Sequence, residues 1–241
     1  MGLEGQRVLV IGGGSGVGRA IAQGAAAAAA SVVIASSNAE KVARAAQALG
    51  AAVSSVVLDV TDEAAVAEFF ASAGTFDHIA FTAGDWNMPL PGPLSGLNLV
   101  EATKMLNVRF WGAVSVAKHG ASSMPPGGSF TVTGGMLAHQ PVKGRPLWTA
   151  AAGAIESLTI GLAADLAPIR VNCVCLGLVQ TEQWDAFPPQ VREGLLKTAE
   201  RQLLPRPGQP SEAAEAFLYL MRNAFVTGQI VRVEGGIALA P

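Results

Sequence analysis

The sequence predicts an α/β fold: a doubly wound parallel sheet of about seven strands, with helices on both faces, in one domain over residues 1–241. Three observations predict it. Short β-branched runs alternate with helix-spaced stretches along the whole chain, the pattern of right-handed βαβ crossovers. The first run, Val8–Ile11, breaks at Gly12-Gly13-Gly14 and resumes at helical spacing through Arg19-Ala20-Ile21-Ala22. With 241 residues, half of them hydrophobic, the chain can fill one large core, and it has no internal repeat or linker.

Each element follows in order. Val8–Ile11 is apolar throughout, as a strand buried on both faces must be. The glycines after it fall at Gly12-x-x-x-Gly16-x-Gly18. A strand that turns through glycines into a helix is suited to a dinucleotide pyrophosphate. Glycine permits positive φ and close backbone approach, and the helix N-terminus adds partial positive charge. Gly12, Gly14, Ser15, Gly16, Val17 and Gly18 are the cofactor-binding candidates there. Ser31–Ala35 is the second strand, and Asn38 caps a helix carrying Lys41, Val42, Ala45 and Leu49 that ends at Gly50. Val53–Leu58 is the third strand, and Thr61 or Asp62 caps the helix containing Ala65–Phe70. His78–Phe81 is the fourth strand and runs into Thr82-Ala83-Gly84, with a loop at Pro89–Pro93. One long helix is expected over Val100–Ala117, a fifth strand at Phe130–Thr133, a helix at Thr149–Ala167 and a sixth strand at Ile169–Val174. Five prolines mark the variable segment Pro188–Pro210; Ser211 caps the last helix, and Gln229–Val233 is the final strand.

Composition excludes several classes. The formal net charge is −2 with no basic cluster, which excludes nucleic acid as a partner. No apolar run approaches the ~20 residues of a membrane helix, and Met1–Glu4 lacks the character of a signal peptide. Cys173 and Cys175 stand two apart on a strand, point the same way and read as reduced core residues. No metal-ligand spacing is seen. A cytoplasmic protein is expected.

The motifs Gly12-x-x-x-Gly16-x-Gly18, Leu58-Asp59-Val60, Ala83-Gly84, Asn107, Arg170-Val171-Asn172, Gly177-x-x-x-Thr181, Thr227-Gly228 and Glu234-Gly235-Gly236 together resemble the short-chain dehydrogenase/reductase family over nearly the whole chain. The resemblance implies a Rossmann-type sheet of seven strands, NAD(P) across its carboxyl edge, and a homodimer or homotetramer. It assigns Asp59 and Val60 to the adenine, though a strand-end turn explains Asp59 as well. It adds Ala83, Gly84, Gly177, Val179 and Thr181 to the cofactor site, and a substrate loop around 181–210. At the end of the second strand, Ser36, Ser37, Asn38 and Lys41 replace the acidic residue that accepts a ribose diol. Hydroxyls, an amide and an ammonium suit a 2′-phosphate, so NADP(H) is expected over NAD(H). An ordinary turn and helix cap account for Ser37 and Asn38 equally.

The chemistry departs from the family. Its serine, tyrosine and lysine positions read Gly135, Trp148 and Ala152, and only Asn107 of the tetrad remains. The chain has one tyrosine, Tyr219, expected in the core of the last helix, and no lysine between Lys143 and Lys197. No shift of register restores the set, nor does the enoyl-reductase spacing. An indole N–H donates a hydrogen bond but transfers no proton near neutral pH. His139 is the nearby group with a suitable pKa, against the reading of a solvated loop histidine. Asp85 reads as an acid–base group or a turn residue. Trp148, Trp184, Phe187 and Met136 line a pocket or, for Trp184 and Phe187, anchor a loop; His78 and His119 read as structural. Three functions stay open: an NADP(H)-dependent oxidoreductase with a non-standard site for imine-like or pre-polarised substrates; a cofactor-binding sensor or assembly protein without turnover; and a non-redox enzyme. The substrate is a small molecule that the sequence does not name.

Overall fold

The computed structural model describes residues 2–84 and 92–240. Asp85, Trp86 and most of the loop expected at Pro89–Pro93 lie outside them. Seven parallel strands form one sheet in the order β3-β2-β1-β4-β5-β6-β7. They are β1 (Arg7–Ile11), β2 (Ser31–Ser36), β3 (Val53–Val57), β4 (His78–Phe81), β5 (Ser129–Gly135), β6 (Arg170–Leu176) and β7 (Ile230–Val233). The helices are α1 (Gly16–Ala27), α2 (Ala39–Leu49), α3 (Glu63–Ser72), α4 (Leu99–Thr103), α5 (Gly112–Gly120), α6 (Pro146–Asp165), α7 (Pro189–Ala199) and α8 (Pro210–Arg222).

Alternation along β1 splits the core in two. Val8 and Val10 face α1, α2 and α8, burying Ile21, Val42 and Phe217. Leu9 and Ile11 face α3, α5 and α6, burying Phe70, Val116 and Ile155. After β1 the chain winds outward to β3, then returns to β4 on the other side of β1. That reversal leaves a crevice at the carboxyl ends of β1 and β4.

Several local expectations are corrected. The single helix expected over Val100–Ala117 is four pieces. α4 passes through a 3₁₀ turn at Lys104–Leu106 and a π-helical turn at Asn107–Trp111 before α5. Apolar periodicity does not register a change of hydrogen-bond partner inside a helix. α6 begins at Pro146 rather than Thr149, because proline's preset φ suits a first helical turn. Pro210 likewise opens α8, so Ser211 lies inside it. The cap is Gln209, in a capping box with Glu212. Of the two caps expected for α3, Asp62 is the one in place, accepting from Ala65 N–H at 3.1 Å. Tyr219 is half-exposed and bonds Asn223, not the core. α6 is also, over its 20 residues, long and apolar enough to cross a membrane by length and composition, although the sequence contains no uninterrupted apolar run of that length.

Arg170 and Asn172 tie α8 to the sheet. The buried Arg170 guanidinium donates to the carbonyls of Leu220 (2.6 Å) and Met221 (3.0 Å), which end α8. Asn172 donates to Val226 O and accepts from Gln229 N–H. Thr227 Oγ1 accepts from Val171 N–H. The Arg-Val-Asn and Thr-Gly motifs thus assemble the turn into β7.

His78 is buried between Ser129 Oγ (2.8 Å) and Gln6 Oε1 (2.9 Å). Burial and then the Arg170 charge push its pKa down to about 4, with Asp77 opposing. The unfolded imidazole, near 6.5, binds its proton first as pH falls, so His78 stabilises the fold fully above pH ~6.5 and loses that contribution between ~6.5 and ~4, roughly 3 kcal/mol at most. Urea unfolding of the wild type should show this loss, and His78→Asn should show less of it. Equal pH dependence in both would overturn the assignment.

Candidate functional site

Glycines draw α1 down onto the ends of β1 and β4. Gly12 has φ +88°, and a Cβ there would sit 2.7 Å from Ala83 N and Thr82 Oγ1. Thr82 Oγ1 in turn donates to Ile11 O at 2.9 Å. A Cβ on Gly18 would overlap the Gly12 carbonyl. Gly16 opens α1 at φ +52°. Ser15 holds the cap position with extended backbone but makes no side-chain cap bond, and the first turn has no acidic residue. The N–H groups that start a helix have no partner within it. Here Gly16 N–H is met by Glu182 Oε2 at 3.0 Å, and Glu182 Oε1 pairs with Arg19. Partial burial raises the Glu182 carboxyl. The backbone N–H groups of Glu182 and Gly16, then Arg19 and Lys41, outweigh that and hold it below the usual carboxylate range.

Beside this turn lies a cleft of about 600 Å³ whose lining includes Gly14, Ser15, Arg19, Lys41, Arg44 and Glu182. The Lys41 stem lies against Gly14, 3.3 Å from where a Cβ would be. Asn38 Oδ1 accepts from Lys41 N–H at 2.9 Å, capping α2. Ser36 Oγ accepts from Asn38 N–H at 3.3 Å, and Ser37 is exposed. Val17 is partly buried against the core. Arg19 and Arg44 were not among the sequence candidates. Arg44 stands three residues beyond Lys41 on α2, a helical spacing that carries it to the same cleft.

The remaining expected cofactor residues fall into two groups. Thr181 joins the α1 turn: it caps the 3₁₀ turn Glu182–Ala186, and its Cγ2 lies 3.1 Å from a Cβ built on Gly16. Gly177 lets the chain lie against Glu234, whose Cα would be 2.7 Å from a Cβ there, and Val179 bridges to Gly208. Ala83 and Gly84 follow β4, and the Arg109 guanidinium lies over Gly84, with Nη2 2.6 Å from a Cβ there. Arg109 comes two residues after Asn107, which opens the π-helical turn and is exposed. Asp59 is spent on its own turn, accepting from Thr61 N–H (2.9 Å) and Thr61 Oγ1 (2.7 Å). Val60 is buried beneath Gly112.

At the family's catalytic positions the backbone is ordinary and the side chains are not. Gly135 ends β5 with open space where a serine would stand: a Cβ there approaches only Leu176 O, at 4.0 Å. Trp148, Ala152 and Glu156 recur every four residues of α6 and so share a face. Trp148 Nε1 is buried with no acceptor among the described residues, as is Thr149 Oγ1. A buried donor without a partner costs about 1–3 kcal/mol, unless a ligand supplies an acceptor.

His139 faces Glu156. Its Nδ1 accepts from Arg232 Nη2 at 3.1 Å, so Nε2 carries the proton donated to Glu156 Oε1 at 2.9 Å. Both ring nitrogens are therefore held by the protein. Cys175 completes a group with His139 and Glu156 whose ligand atoms lie within 4.8 Å, a meeting of three metal-ligand types that no sequence spacing revealed. The Arg232 charge and the Nε2 proton both oppose a cation there. Trp184, two residues beyond Glu182, is buried and anchors its turn.

The comparisons agree on kinship. The family model described as "Enoyl-(Acyl carrier protein) reductase" matches residues 12–238. Short-chain dehydrogenase/reductase ATR9 of Stachybotrys chlorohalonatus is 33% identical, covering 98% of both chains. Short-chain dehydrogenase/reductase malC of Malbranchea aurantiaca is also 33% identical, covering 98% of this chain and 96% of that one. Its solved structure, described as a reductase/Diels-Alderase, superposes with TM-score 0.88 at 32% identity, covering 98% and 96% of the two chains. A small-chain dehydrogenase solved with NADPH superposes with TM-score 0.80 at 31% identity, covering 98% and 99%.

Both thiols are deeply protonated. Burial, then the Glu156 charge, pushes Cys173 up to about 12, and the same causes raise Cys175. Neither should react with a thiol-exchange reagent in the folded chain at pH 8, and both should react in guanidinium. Prompt labelling of the native protein would contradict this burial.

Proposed function

Because the chain belongs to the short-chain dehydrogenase/reductase family, we propose that it is an NADP(H)-dependent oxidoreductase that reduces already polarised substrates, iminium ions in particular. One observation carries the reading: Gly12, Gly16 and Gly18 keep the turn into α1 free of side chains, while α6 carries Trp148 and Ala152 at the positions read as the family's tyrosine and lysine. NADPH, when bound, supplies a hydride at its nicotinamide C4. Gly12, Gly16 and Gly18 leave room for a pyrophosphate, and Gly14, Ser36, Ser37, Lys41 and Arg44 would face the adenosine end. Arg19, Lys41 and Arg44 favour a phosphate-bearing cofactor over a bare ribose diol.

A carbonyl needs a proton as hydride arrives; an iminium ion becomes a neutral amine without one. A positioned acid contributes typically 10²–10⁴-fold, so its loss handicaps ketone reduction and leaves iminium reduction untouched. The unpaired Trp148 N–H would orient a substrate acceptor, and Asn107 stands nearby on the π-helical turn. His139 is a poorer donor candidate, because Arg232 and Glu156 already hold it. A non-redox activity is the second reading. Likeness to a protein whose structure is described as a reductase/Diels-Alderase favours it. We further propose a cytoplasmic homodimer or homotetramer, without nucleic-acid or membrane partners, in which the apolar exposed face of α6 around Ile160 meets a second copy rather than lipid.

Two outcomes test this. NADPH should raise the melting temperature more than NADH does, by the equivalent of about 2.7 kcal/mol at 100 Kd. Gly16→Val should abolish both shifts. An equal or larger shift with NADH would overturn the cofactor preference, and normal binding by a folded Gly16→Val would overturn the phosphate site.

NADPH oxidation should proceed with cyclic imines and be near background with simple ketones and aldehydes. The combined change Gly135→Ser, Trp148→Tyr and Ala152→Lys should then create measurable ketone reduction, with the single changes doing far less, since tyrosine needs the lysine charge. Ketone turnover by the wild type at roughly 1–10³ per second would overturn the proposal. So would silence towards every imine despite NADPH binding.

A further inference from the structure

Resting on that cofactor reading, we infer that Glu182 is an internal anion: in the cofactor-free chain its carboxylate occupies the phosphate seat at the start of α1, and the dinucleotide enters only as Glu182 leaves. The contact spans 166 residues of sequence and joins the phosphate turn to the segment that follows β6. Nothing local can substitute for it. Ser15 makes no side-chain cap bond, and the first turn of α1 holds no acidic residue, so the Gly16 N–H and the helix charge are met by Glu182 alone among the described residues. Arg19 pairs with the other carboxylate oxygen. The three elements of a phosphate site, a helix N-terminus, a glycine amide and an arginine, are thus all engaged by one side chain.

A pyrophosphate and this carboxylate are mutually exclusive there. Both want the same N–H group, and two anions at that distance repel. Glu182 is also placed to move. Its side chain is 45% exposed, and it belongs to a short 3₁₀ turn, Glu182–Ala186, hung between Thr181 and the buried Trp184. Thr181 lies against Gly16, so displacement of Glu182 shifts the contact that holds this turn on the cradle. Cofactor entry and rearrangement at 181–187 become one event, and the substrate loop that follows is released or reset by it. In the empty protein the same contact caps α1 and shields its charge.

The test is NADPH titration by calorimetry on the full-length wild type, Glu182→Gln and Glu182→Ala. The wild-type chain is also labelled with 5-fluorotryptophan, and the Trp184 resonance is assigned by Trp184→Phe. Both Glu182 variants should bind NADPH about three- to tenfold tighter, the scale of a lost helix-terminus competitor. Both should also melt lower than wild type without ligand, and show a larger NADPH-induced rise. The Trp184 resonance should move as NADPH saturates the wild type. Unchanged or weaker binding in both variants overturns the inference, as does a Trp184 resonance that stays fixed at saturation. Failure of every chain, wild type included, to bind NADPH or NADH removes the cofactor reading itself, and this inference with it.

Discussion

The structure depends on the close approach of α1 to the ends of β1 and β4. Gly12 and Gly18 touch where any side chain would separate them, and Thr82 closes the contact from β4. Because the order of strands reverses between β1 and β4, this contact also creates the crevice the cofactor site needs. Everything beyond is arranged around it. α2 brings Lys41 and Arg44 to one side, and the segment after β6 brings Thr181 and Glu182 to the other. A substitution at Gly18 would therefore disturb fold and site together, whereas a change at Ser37 would reach only the site.

The second half of the molecule keeps the fold of the family. β5 ends at Gly135, α6 carries Trp148 and Ala152, and a π-helical turn opens at Asn107 where the sequence suggested an unbroken helix. Polar side chains beside the end of β5 bond to one another. His139, Glu156, Cys175 and Arg232 engage one another below the end of β5, with Met136 packed on the thiol. Such a cluster, satisfied within itself, stiffens the segments it joins. Near the start of α6, the Trp148 indole N–H and Thr149 Oγ1 are buried without a partner among the described residues.

Much of this was legible in the residues. The seven strands, their parallel pairing and the helices between them follow from β-branched runs and helical spacing, because those periodicities are imposed by burial on a sheet face. Asn38 as a cap and Cys173 with Cys175 on one strand face are equally local statements, and they hold. Helix edges were less legible. Pro146 and Pro210 moved two starts, since proline's fixed φ competes with side-chain caps, and the π-helical turn left the apolar pattern of its helix unaltered. Tyr219, flanked by buried Phe217, Leu218 and Leu220, points outward because a helix turns 100° per residue.

By itself, then, the sequence determined the fold, the glycine turn, and a chain with one tyrosine and no lysine between Lys143 and Lys197. These are properties of single positions or of spacing along one element, where local conformational preference and burial act directly. Tertiary structure alone decided which charges meet. Glu182 reaches the start of α1 from 166 residues away, Arg232 and Glu156 take both nitrogens of His139, and Arg44 and Arg19 join Lys41 around one cleft. Electrostatic and hydrogen-bond partners are set by distances of a few ångströms across different elements, and no periodicity along the chain encodes them.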